Sequence, residues 1–325
     1  MNPLDASVAP FDALRVLILN TLAPVFLMIA LGALLQRSEF VSPTFLREAN
    51  RVTYWLGLPA LLFSQLASSF HAAGGAKAML GTMLAATLLV ILGAYLVAWL
   101  LRVPGAALGT FAQGALRGNL AFVGLPIIYA LPDTVLPGGL SARTAALITV
   151  APMMVFYNVA AVVVLLLSQH PLNLRMAVPF VKQLATTPPL IATLAGILCA
   201  MQGWALPVAV DKTFTALGEM ALPLGLLGVG GSIMTARLGQ AARPALASAL
   251  MKTIAAPAFG WIVGRVVGLG AIELKVIMIL LATPTAVVSY TMAIELKGDH
   301  EMASGTIVFS VFTSLAALAL IVGAL

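Results

Sequence analysis

Arg117, Gly118 and Asn119 interrupt an apolar stretch that continues through Leu120-Ala121-Phe122-Val123-Gly124-Leu125-Pro126. A second interruption, Ala282-Thr283-Pro284-Thr285, lies in another apolar stretch far along the chain. Gly118 lowers helix propensity, and Asn119 can cap a new helix start. Thr283-Pro284 reads as an N-cap followed by a proline in the first helical position, which puts Thr285 and Ser289 on one face at i, i+4 spacing. Two half-helix N-termini meeting inside a bilayer present unpaired N–H groups and positive dipole ends, a setting that suits an anion. A lone Gly or Pro often does no more than kink a packed helix; the two interruptions together carry the binding reading. Pro126 is read as a kink.

Three further positions bear on the chemistry. A cation at helix-centre depth costs roughly 2.5–3.5 kcal/mol, so Arg117 is expected either to face a cavity or to snorkel to the interface. Its role is read as electrostatic support beside the site rather than direct ligation. Glu219 is the one acid expected within the bilayer, and two readings stay open: a proton-coupling group, or an interfacial residue near Lys212. Tyr157-Asn158 places an amide at lipid depth, where it needs a partner; substrate contact is favoured over helix–helix contact. The three histidines, His71, His170 and His300, fall at helix ends or loops. No carboxylate pair, metal-ligand spacing, nucleophile elbow or phosphate loop falls inside the apolar runs, so an enzyme, a metal site and a cofactor are not expected.

The elements that must position these residues are membrane spans. Of 325 residues, 61% are hydrophobic and 9% are charged, against about 25% charged in a soluble domain. Spans of about 20 apolar residues are predicted at 16–36, 52–76, 78–101, 106–131, 144–174, 183–210, 213–236, 244–269, 276–294 and 302–325. The net charge of +6 comes from cations scattered singly at span ends, which excludes a nucleic-acid surface. If the N-terminus is outside, inward loops hold Arg37, Arg47, Arg51, Arg102, Arg175, Lys182, Arg237, Arg243, Lys252 and Lys297. Ten such cations against six on the outward segments place both termini outside, which in a bacterial inner membrane is the periplasmic side. No cleavable leader is expected, since Asp5 and Asp12 stand where a basic segment would be. The single cysteine, Cys199, excludes a disulfide framework.

The ten spans divide into two sets of five: residues 1–168, a short cytoplasmic loop at 169–180, and residues 181–325. Shifting the sequence by 164 residues places Pro24 on Pro188, Gly32 on Gly196 and Leu58-Pro59 on Leu222-Pro223; at 166, Gly118-Asn119 falls on Pro284-Thr285. An odd number of spans per repeat forces the second copy to insert upside down, an arrangement typical of secondary transporters. The predicted fold is therefore an all-α membrane protein of two inverted five-helix repeats, with helices 4 and 9 broken and crossing.

The stretch Gly118–Pro126, followed by Leu280-Leu281-Ala282-Thr283-Pro284-Thr285-Ala286, resembles the auxin efflux carrier family, and Leu222–Gly230 resembles its seventh helix. The likeness extends over the whole chain. It implies ten helices with a substrate site beside the crossing, Asn119 matching the fourth-helix Asn and Pro284 the ninth-helix proline. Asn158 matches a polar position of the fifth helix. Plant members have a proline before that Asn, where this chain has Gly118. The short loop resembles compact bacterial members associated with malate, malonate and related carboxylates. The expected function is thus secondary transport of small organic anions by alternating access. Substrate contacts are assigned to Arg117, Gly118, Asn119, Tyr157, Asn158, Pro284, Thr285 and Ser289, with Glu219 as a candidate coupling residue. Protons or sodium are candidate coupling ions, and a homodimer is left open. Alternatives are a sodium- or proton-coupled bile-acid-like symporter and, from another class, a non-transporting receptor or enzyme.

Overall fold

The computed structural model describes residues 23–24, 27–69, 76–136, 139–169, 182, 186–204, 206–235 and 238–324. The start of the predicted first span, His71, His170 and the predicted loop from residue 170 onward lie outside these. Among the described residues the regular secondary structure is helical, joined by turns and short irregular segments, with two isolated bridges and no strand. Five helices are long and apolar enough to cross a membrane: Lys77–Leu100, Ala142–Gln169, Val208–Gly231, Ala241–Val267 and His300–Gly323. Shorter apolar helices run over Leu27–Arg37 (α1), Leu120–Tyr129 and Pro188–Met201.

The surface is the reverse of a soluble protein's. Leu92, Leu96, Trp99, Leu194, Leu198 and Val266 are exposed, while Thr82, Thr149, Thr193, Ser248, Thr253 and Ser314 are buried. Several buried hydroxyls are satisfied by their own helices: Thr87 donates to the Met83 carbonyl at 2.8 Å and Thr149 to Ala145 at 2.7 Å. Only helices can meet every backbone hydrogen bond locally when the surroundings offer none. The chain is an integral membrane protein.

Two predicted boundaries are corrected. Residues 36–50 are not simply a loop: Ser42 caps an amphipathic helix, α2 (Pro43–Val52), by accepting the Phe45 N–H at 3.0 Å, with Pro43 in the first turn. The predicted run 183–210 contains a turn, because a charge-free run does not mark where backbone reverses. The helix α8 (Pro188–Met201) ends there, Gly203 takes a φ of 65°, and α9 (Val208–Glu219) begins after Pro207.

Helices approach closely where glycine allows it. An added Cβ on Gly230 would meet the Ile29 carbonyl oxygen at 2.0 Å, and one on Gly32 the Leu227 oxygen at 2.3 Å. This locks Leu27–Arg37 against α10 (Ala221–Thr235) backbone to backbone. α3 (Leu58–Ser69) packs on α8 and α9. A second group joins α4 (Lys77–Leu100), α5 (Gly105–Leu116), α7 (Ala142–Gln169), α11 (Leu238–Leu250), α12 (Ala256–Val267), α13 (Ala271–Ala282) and α15 (His300–Ala324). The short helices α6 (Leu125–Ala130) and α14 (Val288–Glu295) follow the two interruptions.

Three π-helical turns punctuate the bundle, at Thr53–Gly57, Leu120–Gly124 and Met251–Ala255. Each is followed, two residues on, by a proline: Pro59, Pro126 and Pro257. A proline ring clashes with the carbonyl four residues back and supplies no N–H to it. Widening that turn accommodates both defects while the helix continues. Pro126 is a local perturbation of this kind.

Candidate functional site

The two interruptions meet. α5 ends at Leu116, and Arg117 (φ −95°, ψ 101°) turns the chain extended before the π turn at Leu120. α13 ends at Ala282, and Thr283 (φ −57°, ψ 148°) is held extended by the following Pro284. Gly118 and Thr285 form an antiparallel bridge. The Asn119 N–H donates to the Pro284 carbonyl at 2.8 Å, and the Ala286 N–H to the Arg117 carbonyl at 3.0 Å. Orphan backbone groups at the two breaks thus satisfy one another.

This geometry corrects one local prediction. Thr283-Pro284 does not cap a second half-helix; Thr283 closes α13, and α14 begins only at Val288. Thr285 is extended, so it does not share a helical face with Ser289. Pairing with residues 117–119 outcompetes a new helical turn. Asn119 likewise makes no side-chain cap bond.

Gly118 is required for space rather than for an unusual φ. A Cβ there would lie 2.5 Å from Thr283 Oγ1, 2.8 Å from Lys252 Cε and 3.0 Å from Lys252 Nζ. Lys252 is fully buried in the π turn at Met251–Ala255, and its ammonium donates to the Leu281 carbonyl. Ser314 donates to the Ala282 carbonyl at 2.7 Å, and Thr283 to Leu280 at 2.7 Å. The carbonyls of Leu280, Leu281 and Ala282 at the end of α13 are therefore met, one of them by a lysine at the negative end of the helix dipole. The placement of Lys252 in an inward loop is overturned. Its position inside the run 244–269 was the signal for this depth.

On one side of the crossing lies a cavity of about 50 Å³, lined by Arg117, Gly118, Asn119, Tyr157 and Asn158 with apolar walls from Leu62, Phe122, Met154 and Val287. Arg117 is 5% exposed and donates to Asn158 Oδ1 and to the Met292 sulfur. Both partners are neutral. The Asn158 Nδ2 is buried without a partner. The sequence-predicted residues Arg117, Gly118, Asn119, Tyr157 and Asn158 are thus brought together.

The others stand apart from the cavity lining. Pro284 is buried in the bridge. The Thr285 N–H is taken by Ser310 Oγ at 2.9 Å, and its hydroxyl donates to the Gly114 carbonyl at 2.8 Å. The Ser289 hydroxyl is buried without a partner. Glu219 is exposed at the end of α9.

A buried guanidinium at a helix break whose hydrogen-bond partners are neutral can hold an anion. No curated protein matches the chain. The membrane transport protein family matches residues 17–171 and 155–322, and the chain belongs to that family, which is that of the auxin efflux carriers.

Proposed function

We propose that the protein is a secondary transporter of small organic anions, carboxylates above all, working by alternating access at the crossing. The observation that carries this reading is Arg117, buried at the cavity with only neutral partners. A buried cation without a carboxylate is costly, and a carboxylate substrate supplies the missing charge. Asn119 and the free Asn158 Nδ2 offer hydrogen bonds to it, and the apolar walls take the hydrocarbon portion. Pro284 and Thr285 hold the crossing rather than the substrate. The 166-residue correspondence of the two breaks supports ten spans in two inverted five-helix repeats, divided by the loop at 169–180.

Export of an anion through this site runs down a negative-inside potential, worth about 2.3 kcal/mol per charge per 100 mV. Uptake requires a coupled proton or sodium ion. The test is counterflow of labelled malate and malonate in proteoliposomes loaded with unlabelled dicarboxylate. Accumulation that disappears in Arg117→Gln supports the reading. Binding without counterflow for every mono- and dicarboxylate tried indicates a receptor and overturns it. A strict sodium requirement would favour the symporter alternative.

A further inference from the structure

At the end of the bundle where α6 ends, α7 and α13 begin and α15 finishes, a second cavity of about 260 Å³ opens among helix termini. It is unconnected to the crossing residues and several times the volume of their cavity. Its walls are Ile128, Leu131, Ile272, Val276 and Ile279, and its polar lining includes two cations, Arg143 and Lys275.

Neither cation is satisfied by what it touches. Arg143 Nη2 donates to the Leu131 carbonyl at 2.9 Å, while its Nε is buried with no partner. Lys275 Nζ donates to the Val322 carbonyl at 3.2 Å, leaving protons over from its three donors. The acids nearest in sequence are tied to main chain: Asp133 accepts the Arg143 N–H at 3.3 Å, and Glu273 accepts the Gly270 N–H at 2.8 Å. A buried donor on a charged group that lacks an acceptor is a cost, which a bound anion removes.

The surroundings indicate which anion. The cavity lies at helix ends, the depth of lipid headgroups, and the residue after its wall residue Ile128 is the exposed Tyr129. Tyrosine at that depth is a typical interfacial anchor. An inorganic anion gains nothing from walls of isoleucine, valine and leucine, whereas an acyl chain does.

We propose that this cavity binds an anionic phospholipid, its phosphate between Arg143 and Lys275 and an acyl chain along Ile128, Ile272, Val276 and Ile279. The site is separate from the crossing, so its test needs no transport assay and stands whether or not the transport reading does.

The purified protein is placed in nanodiscs of phosphatidylcholine with or without phosphatidylglycerol, and thermal unfolding and lipid retention by native mass spectrometry are read. Phosphatidylglycerol raises the wild-type Tm by about 3 °C. Lys275→Gln and Arg143→Gln each weaken retention about fivefold, as expected for one headgroup-facing cation, and together they remove the shift. Arg143→Gln also frees the Leu131 carbonyl, so the lipid-dependent difference is read and Lys275→Gln serves as the independent arm. Arg265→Gln, which neutralises an exposed cation of α12, keeps the full shift. Equal losses in Arg265→Gln and Lys275→Gln overturn the proposal, as does no lipid shift in the wild type. Inorganic phosphate reproducing the shift in phosphatidylcholine discs overturns the lipid in favour of a soluble anion.

Discussion

Arg117 and Lys252 are both buried and both bonded to neutral groups, yet they do different work. Arg117 borders the cavity through a planar fork, one arm of which reaches Asn158. Lys252 sits on the other side of Gly118 and holds a helix-end carbonyl. Arg117→Gln is expected to weaken carboxylate binding about tenfold or more, the usual worth of a charged hydrogen bond, with little loss of fold. Ligand-induced thermal stabilisation measures both. Asn119→Ala is expected to abolish that stabilisation in a protein that still unfolds cooperatively; wild-type binding in this variant sinks its assignment. Gly118→Ala acts on the fold instead, since its methyl meets Thr283 and Lys252 below contact distance. A cost of about 1–3 kcal/mol follows, visible as a lower unfolding temperature without ligand.

At the scale of elements, Gly and Pro announced the two breaks, and their offset of 166 residues, close to the 164 of the flanking matches, suggested that they belong together. Their pairing register was not legible, because residues 117–119 and 284–286 join through main-chain atoms that every sequence shares. Lys252 was misplaced because a lysine near Arg243 resembles the end of a span. The π turn at Met251–Ala255, which tucks it inside, leaves only Pro257 as a trace. The helix at Pro43–Val52 was hidden by its polarity, although Ser42 and Pro43 are an ordinary start signal. Helix contacts make a graded prediction. Gly230→Ala drives a methyl into the Ile29 backbone, while in Gly225→Ala the nearest atom is the Val287 side chain at 3.0 Å, which can turn away. Gly230→Ala should therefore lower the unfolding temperature markedly more than Gly225→Ala. Equal effects would mean that α10 and Leu27–Arg37 do not hold each other as described.

For the molecule as a whole, the transport reading requires that one group of helices move past the other while the crossing keeps its shape. Glu219 lies exposed, away from the cavity lining, so Glu219→Gln is expected to leave the pH profile of transport unchanged in proteoliposomes. A flattened profile would restore it as the coupling group. The crossing is held by two main-chain hydrogen bonds and a few buried hydroxyls, and beside Arg117 and Asn119 the cavity is lined by side chains of α3 and α7 and by Phe122, Val287 and Val288. Mechanical integrity and chemical preference therefore rest on different atoms. Phe122 or Met154 can be exchanged to suit a longer or bulkier acid without disturbing the hinge-like joint between the broken helices. A panel of such exchanges should redistribute affinity among carboxylates while the ligand-free unfolding temperature stays nearly constant. One scaffold can in this way serve many metabolites, its selectivity altered locally and its working parts left as they are.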